Sequence, residues 1–182
     1  MIYSLEYMKG DSGLTRYWFF MNLFIGNMLL LVLADNLLMM FFGWEGVGLC
    51  SYALIGHWYK DEKEYWVGTE GDTALGVPQA YPPSHAGMKA FVVTRIGDIA
   101  LLIGIFLIYS FSNPKTFNYN QLASQLAGAS NWASDLFRLG LLVPAALLFF
   151  GGPIGKSAQF PLQAWVPDEM AGPASVSALI HA

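Results

Sequence analysis

The sequence predicts an all-α fold, a polytopic transmembrane helix bundle, and three observations lead there. Hydrophobic residues are 55% of the 182-residue chain, and mean hydropathy is +0.44. Charged residues are only 12%, against about 25% in a soluble domain. Apolar stretches of about 20 residues, enough to cross a hydrocarbon layer of roughly 30 Å, recur along the chain. About four full spans are expected, over about 17–33, 37–58, 90–111 and 137–165, the last one interrupted. Nine Lys+Arg against 13 Asp+Glu leave a net charge of −4, so there is no basic surface for nucleic acid. The lone Cys50 can form no internal disulfide and has no Cys or His at zinc-ligand spacing, so neither a disulfide framework nor a metal site is expected.

The first span, YWFFMNLFIGNMLLLVL, lacks a small-residue cleavage pattern and is followed by further spans, so it reads as a retained helix rather than a signal sequence. Asp35 and Asn36 form a tight polar turn suited to cap the second helix, which makes the first two spans antiparallel neighbours. Residues 59–89 are a polar loop carrying Pro78, Pro82 and Pro83. In the loop 112–136, Leu122, Leu126, Ala129, Ala133 and Leu136 recur at helical spacing. That pattern predicts a short amphipathic helix, either packed at the membrane surface or touching a neighbouring subunit. The fourth span contains Pro153 and Pro161, each of which removes a backbone donor and interrupts a helix. A further helix begins within 171–182. About ten residues of helix reach only about 15 Å, half a bilayer, so the sequence reads as a fragment of a larger membrane protein. Lys9, Arg16, Lys60, Lys63 and Lys89 fall on one side of the spans and only Lys115 on the other. The excess of positive charge places residues 1–16 and 59–89 on the cytoplasmic side.

Ionisable residues inside spans cost several kcal/mol and are functional candidates by default. Glu45 lies in GWEGVGLCSY among glycines that allow close helix approach or water entry. Arg95 and Asp98 are three residues apart, hence on one helix face, where an intrahelical ion pair is expected. Lys156 follows GGPIG beside the predicted helix break, and broken membrane helices expose backbone where a cavity holds water or ions. His181 near the end of the chain is a group that changes charge near physiological pH. His57 sits beside Trp58 and Tyr59, where an aromatic interfacial belt accounts for it. If Glu45 faced Lys156 at about 6 Å with an effective dielectric near 20, their attraction would be roughly 2.8 kcal/mol, enough to decide whether the lysine keeps its proton.

The segments LVLADNLLMMFFGWEGVGLCSYALIGHWY, AFVVTRIGD and GKSAQFPLQAWVPDEMAGPASVSALIHA closely resemble the L-subunit family of proton-pumping NADH-quinone oxidoreductase, respiratory complex I. Matching blocks cover most of 1–58, 86–111 and 150–182, whereas 59–85 and 112–149 match poorly. The long insertion in the first loop is nearer an archaeal relative that uses reduced deazaflavin and a membrane phenazine. The resemblance implies a membrane subunit of a redox-driven proton translocase, with Glu45 paired to Lys156 of a discontinuous helix. It further implies that His181 continues the path and that Arg95 and Asp98 support it. No cysteine cluster and no Gly-rich dinucleotide fingerprint occurs, so no redox centre is expected in this chain. NADH or reduced deazaflavin, flavin, iron–sulfur clusters and quinone or phenazine are implied in partner subunits of the inner (cytoplasmic) membrane. The alternative is the large subunit of a multisubunit cation/proton antiporter, which shares this helix module.

Overall fold

A computed structural model describes residues 2–74, 77–128 and 131–181. The fold is all-α as expected, built from α1 (Ile2–Tyr7), α2 (Leu14–Val32), α3 (Leu37–Ile55), α4 (Pro83–Phe111), α5 (Tyr119–Leu126), α6 (Trp132–Arg138), α7 (Leu142–Lys156) and α8 (Ala174–His181). Only a two-residue antiparallel ladder departs from this among the described residues, pairing β1 (Thr73–Ala74) with β2 (Val77–Pro78) in the long loop.

Two helices, α3 and α4, are long and apolar enough to cross a membrane, and a third span exists if the bent pair α6–α7 is one span. Four spans, one of them interrupted, were expected, and these helices account for two of them, or three with the bent pair. α2 is as long as α3 but carries Arg16, Asn22 and Asn27, which dilute its apolar run. α6 and α7 meet at 115°, and α7 stops at Lys156 instead of reaching 165. Between α7 and α8 the chain forms 3-10 turns, Gln163–Trp165 and Pro167–Ala171. Pro153 is accommodated inside α7, and Pro161 falls beyond its end. α4 begins at Pro83 rather than 90, because a proline at the first helical position leaves no donor wasted.

Local chemistry sets the helix ends. The Asn36 side chain accepts a hydrogen bond from the Met39 backbone N–H at 2.8 Å and starts α3. The single amphipathic helix expected over 112–136 is two helices. Asn131 caps α6 with a reciprocal capping box, and Leu122 and Leu136 are buried while Leu126 is exposed; Ala129 lies outside the described residues.

Helix packing relies on missing side chains. A Cβ on Gly43 of α3 would lie 2.6 Å from the Leu31 backbone nitrogen of α2, and one on Gly97 of α4 would lie 2.5 Å from the Gly151 carbonyl oxygen of α7. Backbone meets backbone at both crossings, the close approach that small residues permit in membranes. Tyr17, Met21 and Phe24 of α2 pack with Cys50 and Leu54 of α3 and with Val176 of α8. Leu101 and Ile105 of α4 pack with Leu37 of α3 and Leu122 of α5. Phe42, Ile96, Ile99 and Phe106 are exposed on the outside of the bundle, the arrangement of helices that are apolar toward lipid as well as toward each other.

His57, attributed above to an interfacial belt, is 2% exposed. Its Nε2 stands 3.2 Å from Asp11 Oδ1, and Trp58 Nε1 donates to Asp11 Oδ2 at 2.9 Å. Partial burial opposes the charged form of Asp11. Hydrogen bonds from Trp58, the Gly13 backbone and His57 outweigh it and hold the carboxyl below the usual carboxylate range. The cluster ties the turn before α2 to the end of α3.

Gly97→Leu forces an atom into backbone that cannot yield, so thermal unfolding of the membrane-extracted protein falls by the ~1–3 kcal/mol typical of overpacking or more. Gly26, with open space where a Cβ would go, tolerates Ala with unchanged or slightly raised stability.

A four-charge cluster beside a helix break

Three helices bring four of the five ionisable candidates together. α3 supplies Glu45, α4 supplies Arg95 and Asp98, and α7 ends on Lys156. At about 1.5 Å per residue, Asp98 sits roughly 22 Å along α4, near the middle of a bilayer-spanning helix. The charges sum to zero, two carboxylates against two cations.

The pairing differs from the expected one. Arg95 forms an ion pair with Glu45 across the α3–α4 contact, not with Asp98 on its own helix. Lys156 Nζ lies 3.7 Å from Asp98 Oδ2, so Asp98, not Glu45, is the carboxylate it meets. The physical reason lies in Trp44. Its indole N–H donates to Asp98 Oδ1 at 2.5 Å, which turns the Asp98 carboxylate toward α3 and away from Arg95. The Trp44 carbonyl oxygen also accepts from Lys156 Nζ at 3.4 Å. Gly48, one helical turn on, makes that reach possible: a Cβ there would lie 2.4 Å from the ammonium nitrogen.

Asp98 is 1% exposed, and its Oδ2 has no hydrogen-bond donor among the described residues. The lysine is thus its one neighbouring counter-charge on that side. At 3.7 Å and an effective dielectric near 20, the attraction is roughly 4 kcal/mol. That is comparable to the several kcal/mol each ion loses on leaving water. The pair therefore adds little net stability, whereas removal of one partner strands the other.

Lys156 opens on a cavity of about 210 Å³ lined by Trp44, Gly48, Ser51, Thr94, Trp165 and Ile180, among others. At ~30 Å³ per water the space suffices for several waters. His181 is in α8, directly after Ile180, but its side chain lies outside the described residues. Among the described residues no group of three His, Cys, Asp or Glu is placed to hold a metal ion. Trp44 was not singled out by sequence reasoning, although it lies beside Glu45 in the GWEGVG stretch whose glycines, Gly48 among them, were read as allowing close approach.

Residues 34–69 and 79–182 match the family described as NADH:quinone oxidoreductase/Mrp antiporter, TM. The chain is 45% identical over 181 residues to NADH-quinone oxidoreductase subunit L of Escherichia coli (strain K12), with 100% of this chain and 25% of the relative covered. It is 44% identical over 184 residues to subunit L of Rickettsia bellii and 42% over 181 residues to that of Pseudomonas aeruginosa, again covering 100% of this chain and 25% of each relative. The chain spans about a quarter of the length of these curated relatives. The alignments run the whole chain, whereas the family match omits 70–78, which lies within the 59–85 stretch where a poorer match was expected.

Trp44→Phe keeps the ring but removes the donor to Asp98. The loss of a hydrogen bond to a buried charge lowers stability by about 1.5–3 kcal/mol, measurable by thermal unfolding in detergent; an unchanged midpoint would show that the indole does not hold the carboxylate.

Proposed function

The chain belongs to the NADH:quinone oxidoreductase/Mrp antiporter membrane family, and from that premise we propose that it is part of an L-type membrane subunit of a redox-driven proton translocase. In this reading Glu45, Lys156 and His181 carry protons through a half-channel, with Arg95 and Asp98 as supporting charges and the helix end after Lys156, flanked by Pro153 and Pro161, as the water-accessible break. The observation that carries it is the Lys156–Asp98 pair, seated beside a cavity and next to the Glu45–Arg95 pair.

The proposed mechanism follows from the difference between the two cations. Arg95 presents a guanidinium with several donors and no acceptor, so the carboxylate it holds is committed. Asp98 is then left to Lys156. Arg95 and Asp98 lie one turn apart on α4, so a small shift of the guanidinium from Glu45 to Asp98 would release Glu45 for proton exchange. The same shift takes from Lys156 the counter-charge that favours its protonated state. Proton transfer toward α8 would follow, and the return of Arg95 would reset the cluster. An energy input of a few kcal/mol, the size of one such ion pair, suffices to drive the exchange.

The chain contributes no redox chemistry in this reading. Electrons would pass from NADH, or from reduced deazaflavin, through flavin and iron–sulfur clusters to quinone or phenazine in partner subunits. The assembly would lie in the cytoplasmic (inner) membrane, with residues 1–16 and 59–89 facing the cytoplasm. The family description also covers Mrp antiporters, so a multisubunit cation/proton antiporter is the second reading. Co-purification of redox subunits supports the first, and of small antiporter subunits the second.

Glu45→Gln and Lys156→Ala, each in the full-length protein in its membrane complex, are expected to lower proton translocation at least several-fold. Electron transfer to an artificial acceptor stays near its original rate. Undiminished translocation in both variants, at normal assembly, would refute the proposal.

A further inference from the structure

A further ion pair, between Lys89 and Asp168, lies outside the four-charge cluster and has no part in the mechanism above. Lys89, in the second turn of α4, donates to Asp168 Oδ2 at 2.6 Å. Its ammonium also stands 4.7 Å from the centroid of the Tyr81 ring. Asp168 belongs to the segment between α7 and α8, which has 3-10 turns but no α-helix. Its backbone hydrogen bonds are local turns, such as Val166 N–H to the Gln163 carbonyl and Gly172 N–H to the Glu169 carbonyl, so side-chain contacts decide where it sits against α4 and α8.

Three ties do so. Lys89 holds Asp168 against α4. Trp165, three residues earlier and 3% exposed, donates its indole N–H to the Gly155 carbonyl at 3.2 Å. Ser177 of α8 donates to Glu169 Oε1 at 3.0 Å. Gly155 immediately precedes Lys156, and Trp165 and Ala90, the latter adjacent to Lys89, both line the lysine's cavity. The bridge therefore lies at one end of a continuous line of contacts that ends on the backbone beneath the ammonium.

We propose that Lys89 and Asp168 are a positioning pair: their bridge holds the segment that carries Trp165, and so sets the seat of Lys156 and the start of α8. The inference rests on the reading of Lys156 as a proton carrier. In a partly buried ion pair the cost of leaving water offsets much of the attraction, so the role lies in geometry rather than in net stability. The side chains here are 30% and 12% exposed, and the segment they anchor has no helix of its own to hold it.

The test compares Lys89→Gln, Asp168→Asn and the exchanged pair Lys89→Asp/Asp168→Lys in the full-length protein within its assembled membrane complex. Protons translocated per electron and the amount of assembled complex are measured together, with Lys156→Ala alongside. Each single substitution is expected to lower protons per electron at least about threefold, well inside the ~100-fold that a 1 Å misplacement can cost. Electron transfer persists, and the exchanged pair recovers most of the loss. Single variants that pump normally overturn the inference, and so does an exchanged pair that restores assembly but not pumping. Should the single variants fail to assemble, Asp168→Glu and the exchanged pair decide on the same criterion. If Lys156→Ala also pumps normally, the reading of the site itself has failed; if it does not pump while Asp168→Asn does, only the positioning role falls.

Discussion

A carboxylate in the middle of a helix bundle, 1% exposed, constrains everything around it. A carboxylate there needs donors and a counter-charge brought to it, because an unpaired buried charge costs several kcal/mol. Three helices meet that demand. α4 carries the carboxylate, α3 brings the Trp44 indole, and α7 ends where its last residue delivers an ammonium group. The glycine contacts at Gly97 and Gly48 follow from the same requirement. Without the first, α7 could not lie close enough to α4; without the second, the lysine could not enter.

The two neighbouring ion pairs, Arg95–Glu45 and Lys156–Asp98, together carry no net charge. Each pair gains roughly as much from attraction as it loses on leaving water, so partner exchange is not opposed by a large energy gap. A cavity lies beside the lysine, and the chain leaves the helix just after it. The geometry thus surrounds a buried charge with pairs whose net energies are small.

The long apolar runs made the helical class and most helix positions legible in the sequence, as did the charges worth attention. Glu45, Arg95, Asp98 and Lys156 stood out because ionisable groups are rare in oil-facing segments, and the structure gathers all four. The partners were not legible. Which carboxylate meets which cation depends on the rotation of α3 about its axis and on where the Trp44 ring lies, and neither is written in residue spacing. Helix ends were less legible: Arg16, Asn22 and Asn27 dilute the apolar run of α2, and α7 ends at Lys156 instead of 165, as 3-10 turns replace helix after it. His57 was misjudged because its partner, Asp11, lies 46 positions away in the chain.

The central claim is that Lys156 answers to Asp98 and that Glu45 answers to Arg95. A double-mutant cycle on thermal stability tests it most directly, with Lys156→Gln combined in turn with Asp98→Asn and with Glu45→Gln in the full-length protein. The account predicts a coupling of about 1 kcal/mol or more between Lys156 and Asp98, within the 0.5–3 kcal/mol usual for residues in contact, and near-additivity between Lys156 and Glu45. Strong coupling of Lys156 to Glu45, with Asp98 additive, would contradict it.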